Sequence, residues 1–578
     1  MKLKLFITLW LVMLLPPANA WVSVGSSPGY GTCTYTTIQQ ALNAGASEIR
    51  VLNNQDFVEN LEINQSVDIM GGYVSCLAAS VNFPRTNNTV ISGSAQLGPA
   101  VIEVYSTNNP TINLHNLTLQ DATDTIFWAN GGHGLSIGSS NGFIQLFNTV
   151  ISENDGELGG GIYVGNTLGN LSLILHDSQV ENNVASNKGG GIYCAGNALS
   201  AGNALIRISG DSKINGNQAL YGGGIAAQNG CKLTIDSGHI SLGTRGVNHN
   251  YATNNGGGIY LDSGAHVSLQ GNVYGLFGIF GNNTAPVTVR GNSAGQNGGG
   301  IYAINSSSVD VVDGFIYANN AQLERGGAVY LGASIGPQPV TFNMTSSTGT
   351  CWRSGECSIL SGNKADLGGA LYSVDGAEVD IENTTIKFNR ANFGTAFYIH
   401  NSGSFNLSGS YIYRNGGDDI DYTDKYVIRG FGPVDMSLIH NTIVKNDFIN
   451  NSFAVIGIYS SSLTLKNSII RNSGTTVFND GNTSVTTDFN CLILNENNSL
   501  PGTVFDPEFV DPVNHDFHLS ANSQAMDFCQ NEHVSMLDTD GDTRGWDDPS
   551  IVNAPGMTFD PGADESYAND IIFKNSFQ

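Results

Sequence analysis

The sequence predicts an all-β solenoid of stacked parallel coils with three short strands per coil, and three recurring patterns carry that prediction. The first is a phrase most often written GGGIY, with an Asn a few residues upstream. Its near-copies begin at Gly159, Gly189, Gly222, Gly256, Gly298, Gly326, Gly368 and Gly394. Spacings of 26 to 42 residues between copies mark a repeat architecture. The second pattern is apolar-x-x-Asn, as at Ile151 to Asn154, Val180 to Asn183, Ile214 to Asn217, Ile316 to Asn319, Ile386 to Asn389 and Ile412 to Asn415. The third is strict alternation: Leu233 and Ile235, Val267 and Leu269, Val309 and Val311, Val379 and Ile381, Phe405 and Leu407, Leu463 and Leu465. A period of two means strand, and the Gly, Asn, Ser and Asp between the strands suit bends. A single coil has nothing to close its apolar face against, so the coils must stack. Stacking sets equivalent Ile, Val and Leu over one another at about 4.8 Å, with the recurring Asn placed to form an internal hydrogen-bonded ladder.

The phrases GG-A/G-I and apolar-x-x-Asn, taken together, resemble the repeats of the chlamydial polymorphic outer-membrane proteins over roughly Val101 to Asn472. That resemblance implies a right-handed parallel β-helix at the cell surface, associated with the outer membrane. Ile or Val usually stands here where the family's second phrase has Phe. The family's C-terminal barrel is not expected, because nothing after the repeats alternates long enough for a transmembrane barrel of about eight or more strands.

The elements follow in order. Residues 1–20 read as a secretory signal peptide: Lys2 and Lys4, an apolar stretch from Leu5 to Leu15, then Pro16 to Ala20 with an A-x-A site, leaving Trp21 as the mature start. The protein is therefore expected to be exported, with no other spanning segment. Residues 21–100 form an N-terminal cap and the first coils, with a short helix over Thr36 to Ala44 and strands around Ile49 to Leu52, Leu61 to Ile63 and Val67 to Met70. A cap is required because an open solenoid end would recruit another chain. Residues 101–475 are the repeat solenoid, and 476–578 hold the last coils and a distinct C-terminal end. Length alone suggests about four domains of ~150 residues; the repeat overrules it. The phrases at Leu463 to Asn472, Phe489 to Leu494, Asp516 to Asp527, and from DTDGDTRG at Asp538 to FDPGADES at Phe559 are similar to the end of bacterial surface proteins of the choice-of-anchor Q group. These are β-helices with variable anchors; with no sorting signal or apolar tail read after the matching stretch, the expectation is a chain either released or held by something not encoded as an anchor.

The net charge of -26 makes nucleic acid and anionic lipid poor partners. Only 12% of residues are charged, so Ser, Thr, Asn, Gly and Tyr must cover the surface, as on carbohydrate-facing or adhesive proteins. Eight cysteines in an exported chain suit disulfides. The preferred pairs are Cys33 with Cys76, Cys194 with Cys231, Cys351 with Cys357 and Cys491 with Cys529. Buried free thiols fit Cys194 equally well, and no C-x-x-C pair supports zinc.

Parallel β-helices also carry pectin-active enzymes, so function rests on the site. Gly132-His133-Gly134 precedes Asp418-Asp419, the reverse of the order in polygalacturonase-like enzymes, so His133 reads as a turn histidine. The catalytic residues stay unknown, with Asp418, Asp419 and Asp421 as candidates: together with Asp424 they form the densest acidic cluster, followed by Lys425 and Arg429. They could serve as acid and base or hold Ca²⁺, or be an exposed loop between repeats. Asp538, Asp540 and Asp542 alternate and could converge on Ca²⁺, without the Gly and Glu of an EF-hand; the alternative is an Asp-rich turn satisfied by Arg544. Tyr163, Tyr193, Tyr260, Tyr302, Tyr330, Tyr372 and Tyr398 follow the inward residue of the repeated phrase, so they point outward, either as an exposed stripe for sugar rings or a protein partner or as a packed ladder. The expectation is an adhesin-like or structural binding scaffold facing glycans or host or matrix proteins, with no required cofactor beyond the Ca²⁺ considered above. A polysaccharide lyase or glycoside hydrolase is the competing class.

Overall fold

The computed structural model describes residues 21–26, 31–83, 87–93, 98–106, 108–123, 131–138, 141–165, 169–197, 204–236, 245–274, 283–332, 336, 338–347, 357–416, 426–446, 454–472, 474–488, 491–495, 500, 502–530, 537–540, 542–547 and 557–566. Three long parallel sheets of 16, 14 and 15 strands, here the first, second and third, run along the stack, and a fourth sheet has six strands. The chain is thus a parallel β-helix. One coil passes from Leu171–His176 in the first sheet to Gln179–Glu181 in the third, Val184–Lys188 in the fourth and Ile192–Ala195 in the second. The next coil starts directly above, with Leu171 beside Ala204, Leu173 beside Ile206 and Leu175 beside Ile208. The fourth-sheet strands add a side to the three anticipated. Their sequences, such as Val184-Ala185-Ser186-Asn187-Lys188, lack the apolar alternation that marks a strand.

Register without drift makes the core. In the third sheet Ile151, Val180, Ile214 and Val247 are successive neighbours, and in the second Ile192, Ile225, Ile259 and Ile301 are. All eight are fully buried within one continuous cluster that extends from Val22 to Leu494. Each such side chain contributes about 1.5–3 kcal/mol through burial.

The recurring Asn forms the expected ladder, buried along the bend that follows the third sheet. Asn183 is typical: its backbone N–H and its Nδ2 both donate to Asn217 Oδ1 at 3.0 Å, and Nδ2 also donates to the Ile151 carbonyl at 2.9 Å. The pattern continues through Asn217, Asn250, Asn292, Asn319, Asn363, Asn389, Asn415, Asn446 and Asn472. It satisfies amides that a buried bend would otherwise orphan. The Gly run has a steric cause. Gly222 has φ +64, and a Cβ there would lie 2.4 Å from the Ile225 carbonyl oxygen; one on Gly223 would lie 2.3 Å from the Tyr251 oxygen of the next coil.

At the N-terminal end, helix α1 (Ile38–Asn43) is capped by Thr37, whose side chain accepts from Gln40 N–H, and Glu59 accepts the amides of Ile38 and Gln39 at 2.9 and 3.0 Å. Its Ile38, Ala41 and Leu42 join the main core. Helix α2 (Cys76–Ser80) is tied down by the Cys33–Cys76 disulfide. Cys194 and Cys231 bond across adjacent coils. Cys357 is disulfide-bonded, while its expected partner Cys351 lies outside the described residues. The expected Cys491–Cys529 bond is corrected: both are free, buried thiols in hydrogen-bonding contact, and burial pushes the Cys529 thiol well up. Among the described residues no helix is long and apolar enough to cross a membrane.

The C-terminal section folds back on the outer face of the third sheet. Phe517, Leu519, Ala525 and Ala563 pack there against Tyr411, Tyr413, Val444, Ile469 and Ile493. Backbone anchors reinforce the contact: Gly562 N–H donates to Asn467 O at 2.8 Å, and Ala563 N–H to Thr442 Oγ1 at 3.0 Å.

Candidate functional site

The second sheet presents one outward column whose register can be followed coil by coil. It runs Glu62, Glu103, Ser136, Tyr163, Tyr193, Ala226, Tyr260, Tyr302, Tyr330, Tyr372, Tyr398, Arg429, Gly457 and Phe478. The seven tyrosines singled out in the sequence therefore share one face. Parallel stacking forces their rings together: centroids are 5.6 Å apart for Tyr163 and Tyr193, 5.4 Å for Tyr260 and Tyr302, and 4.7 Å for Tyr302 and Tyr330. The series continues at 5.4 Å from Tyr330 to Tyr372 and 5.3 Å from Tyr372 to Tyr398. At the Ala226 break Tyr221 leans in, 5.5 Å from Tyr260.

An open aromatic stripe is not what this makes. Tyr193, Tyr260, Tyr372 and Tyr398 are buried and the other three half-buried, because each ring covers its neighbour and Leu158, Tyr221, Ile304, Leu367 and Phe393 close over the sides. Burial pushes the phenols of Tyr163, Tyr260, Tyr302 and Tyr330 up, and those of Tyr193 and Tyr372 to about 12. Each stacked pair contributes about 0.5–1.5 kcal/mol beyond its buried area. His133 belongs to the same ladder. It is a buried strand residue, with its ring 5.0 Å from Tyr163 and its Nδ1 2.9 Å from the Gly159 carbonyl, where a turn was expected.

The ladder changes character at its last step. Arg429 takes the register position of the tyrosines and lays its guanidinium 5.0 Å from the Tyr398 ring. Phe393, Tyr426, Phe431 and Tyr459 complete a cage at 4.7 to 5.8 Å. Tyr426 and Tyr459 are joined through their hydroxyls at 2.7 Å. Beside the cage the rings reach solvent: Phe431 is 40% and Phe478 43% exposed, with His400 and Tyr459 half-buried. In the sequence alone Arg429 is only a basic residue after an acidic run. The lost signal was its place in the repeated phrase, where Ile428 is the inward residue and Arg429 stands for Tyr. Asp418, Asp419, Asp421 and Asp424 lie outside the described residues.

Asp538, Asp540 and Asp542 do not converge. Asp538 is buried, its Oδ1 accepting the amides of Asp540 and Asp542 at 2.9 and 2.8 Å and its Oδ2 that of Glu565 at 3.1 Å. It organises the loop, and burial raises its carboxyl to about 6 against the opposing Arg544. Arg544 donates to the Ala563 carbonyl at 2.7 Å and faces Glu565 at 3.9 Å. Among the described residues the groups whose ligand atoms do gather, within 4.8 Å, are His518, Asp540 and Asp564. Such a set suits a borderline cation better than Ca²⁺, which takes oxygen alone. His518 Nε2 lies 3.1 Å from Asp540, while its Nδ1 contacts Asp516. Burial works to neutralise this imidazole, but Asp564 and the hydrogen bonds to Asp516 and Asp540 hold it well above the ordinary histidine range. The alternating pattern marks Asp540 alone of the three, because His518 and Asp564 come from separate segments.

Residues 177–195, the span from the third-sheet strand through Val184–Lys188 to Ile192–Ala195, match the family model described as the Chlamydia polymorphic membrane protein repeat. No curated protein matches the chain. The molecule is a parallel β-helix repeat protein, similar in that coil to the polymorphic membrane protein repeats.

Proposed function

We propose that the chain is a cell-surface β-helix that acts by binding, an adhesin-like scaffold facing glycans or host or matrix proteins. The observation that carries this reading is that the polymorphic-membrane-protein-type repeat at 177–195 is one coil of a continuous stack from Val22 to Leu494. A chain that repeats one coil this way builds an elongated surface whose outward columns extend over many coils, which suits contact with an extended ligand. The sequence is sparsely charged, with 12% charged residues, and the aromatic column packs along one face. Calcium is not needed for this role.

The competing reading, a polysaccharide lyase or hydrolase, draws on the acidic run at Asp418, Asp419 and Asp421. The two are separated by incubating the mature protein with a panel of immobilised glycans and matrix proteins while assaying unsaturated and reducing-end sugar products. Retention without product is expected. Product formation that disappears in Asp419→Asn would overturn the binding reading.

A further inference from the structure

We propose that the end of the aromatic ladder is a subsite for a carboxylate-bearing sugar, with Arg429 as the anion contact and Phe431, Tyr459 and Phe478 as the ring platform. This rests on the binding reading above and names its ligand class. Three observations carry it. First, the guanidinium is caged by aromatic rings, and its Nε is buried without a hydrogen-bond partner. Ring faces offset part of the cost of desolvating the cation but accept no conventional hydrogen bond. Second, no carboxylate among the described residues pairs with Arg429, in a chain of net charge -26 where acidic groups far outnumber basic ones. Other arginines do meet acidic groups, Arg207 meeting Asp236 at 2.6 Å and Arg245 meeting Asp211 at 2.7 Å. A planar donor fork left open in this way matches a carboxylate in two-point geometry. Third, two aromatic residues beside it, Phe431 and Phe478, are exposed, and Tyr459 between them is half-buried. Phe431 lies 5.8 Å and Phe478 5.4 Å from the Tyr459 ring, which makes a contiguous apolar surface bordering the cation. Elsewhere along the column the rings are covered by one another. Gly457 keeps the position beyond Arg429 low, since a Cβ there would come within 2.5 Å of the Tyr426 ring.

A pyranose face resting on the aromatic platform while its carboxylate meets Arg429 satisfies both features at once. A neutral sugar uses only the platform. No bond is made or broken in this step.

The test uses the mature protein and titrates it calorimetrically with a galacturonic acid hexamer, the methyl-esterified hexamer, a neutral galactose oligomer and a sialylated trisaccharide. Binding of either acidic probe at least tenfold tighter than its neutral counterpart, lost in Arg429→Gln and partly kept in Arg429→Lys, is expected. Which acidic probe binds identifies the source of the carboxylate. Tyr459→Leu should weaken the acidic probe without abolishing the preference for acid over ester. The ester comparison needs no variant, so it holds even if a substitution perturbs the coil. Equal affinity for acid and ester, or no binding of either acidic probe at millimolar concentration, overturns the subsite. If a neutral glycan or a matrix protein is then retained independently of Arg429, the binding reading survives while this inference fails. Cleavage of the hexamer with Arg429-dependent affinity intact does the reverse.

Discussion

Asn292 sits in the middle of the internal ladder, and its replacement by Ala measures what that ladder contributes. Asn292 Oδ1 accepts both the backbone N–H and the Nδ2 of Asn250, at 2.9 and 3.0 Å, while its own Nδ2 donates to the Val247 carbonyl at 2.9 Å and to Asn319 Oδ1 at 3.0 Å. Alanine removes all four contacts. Asn319 Oδ1 keeps the backbone N–H of residue 292, so the groups stripped of a partner are the Asn250 amide, one Asn250 Nδ2 hydrogen and the Val247 lone pair. Each buried orphan costs about 1–3 kcal/mol, and with some relaxation the sum is about 3–6 kcal/mol. Because a solenoid couples mainly neighbouring coils, the loss should be local to the coils holding Asn250, Asn292 and Asn319. Native-state hydrogen exchange is the suitable assay, with the Asn250 amide as reporter and amides near Ile49 and Leu463 as unaffected controls. Asn292→Asp keeps an acceptor for Asn250 but buries a charge and loses the donor. It should be damaging at neutral pH and partly recover in acid, where the protonated carboxyl can donate again. A loss below about 1 kcal/mol with Asn250 protection unchanged would refute the assignment of these bonds as structurally required.

Three further outcomes follow from the same structure. The raised tyrosines, about 12 for Tyr193 and Tyr372, contribute stability that is fully present below the unfolded phenol value near 10 and is lost as pH rises through the folded value. Ultraviolet titration should show a late, unfolding-linked class of phenols, and Tyr302→Phe should leave the rest of that class unchanged; simple titration of all tyrosines near pH 10 would contradict the packed ladder. Reducing the Cys33–Cys76 bond, which closes 43 residues, should cost about 4 kcal/mol by loop entropy and expose the N-terminal coils to proteolysis before the centre of the stack; an unchanged cleavage pattern would show that packing alone holds α2. Added Ca²⁺ should leave the melting of the C-terminal section unmoved, since Asp538 is spent on amides and His518 faces Asp540. A rise abolished by Asp540→Asn would reinstate a calcium site.

The architecture was legible in the residues because a repeat states each instruction many times. The inward positions of Ile192, Ile259 and Ile301 and the Asn column come from pattern, whereas the Cys33–Cys76 and Cys194–Cys231 bonds are preferences among pairings that the sequence does not fix. Period-two alternation fixes which face a side chain takes, and one coil's register is inherited by the next. What lies on the outward face was decided only by assembly. Alternation correctly turned the tyrosines away from the core. Yet neighbouring coils set the ring centroids only 4.7 to 5.6 Å apart, so outward did not mean exposed, and side chains on the flanking bends closed over them. The fourth sheet was hidden because its strands are polar and pair only once the coils are stacked. Arg429 became a candidate contact through register, which set it above Tyr398 in a coil that lacks the Gly phrase. His518, Asp540 and Asp564 stand apart along the chain and are gathered by a section folding back on the third sheet. Local pattern carries the direction of a side chain, whereas neighbours contributed by distant segments set its exposure, charge environment and partners.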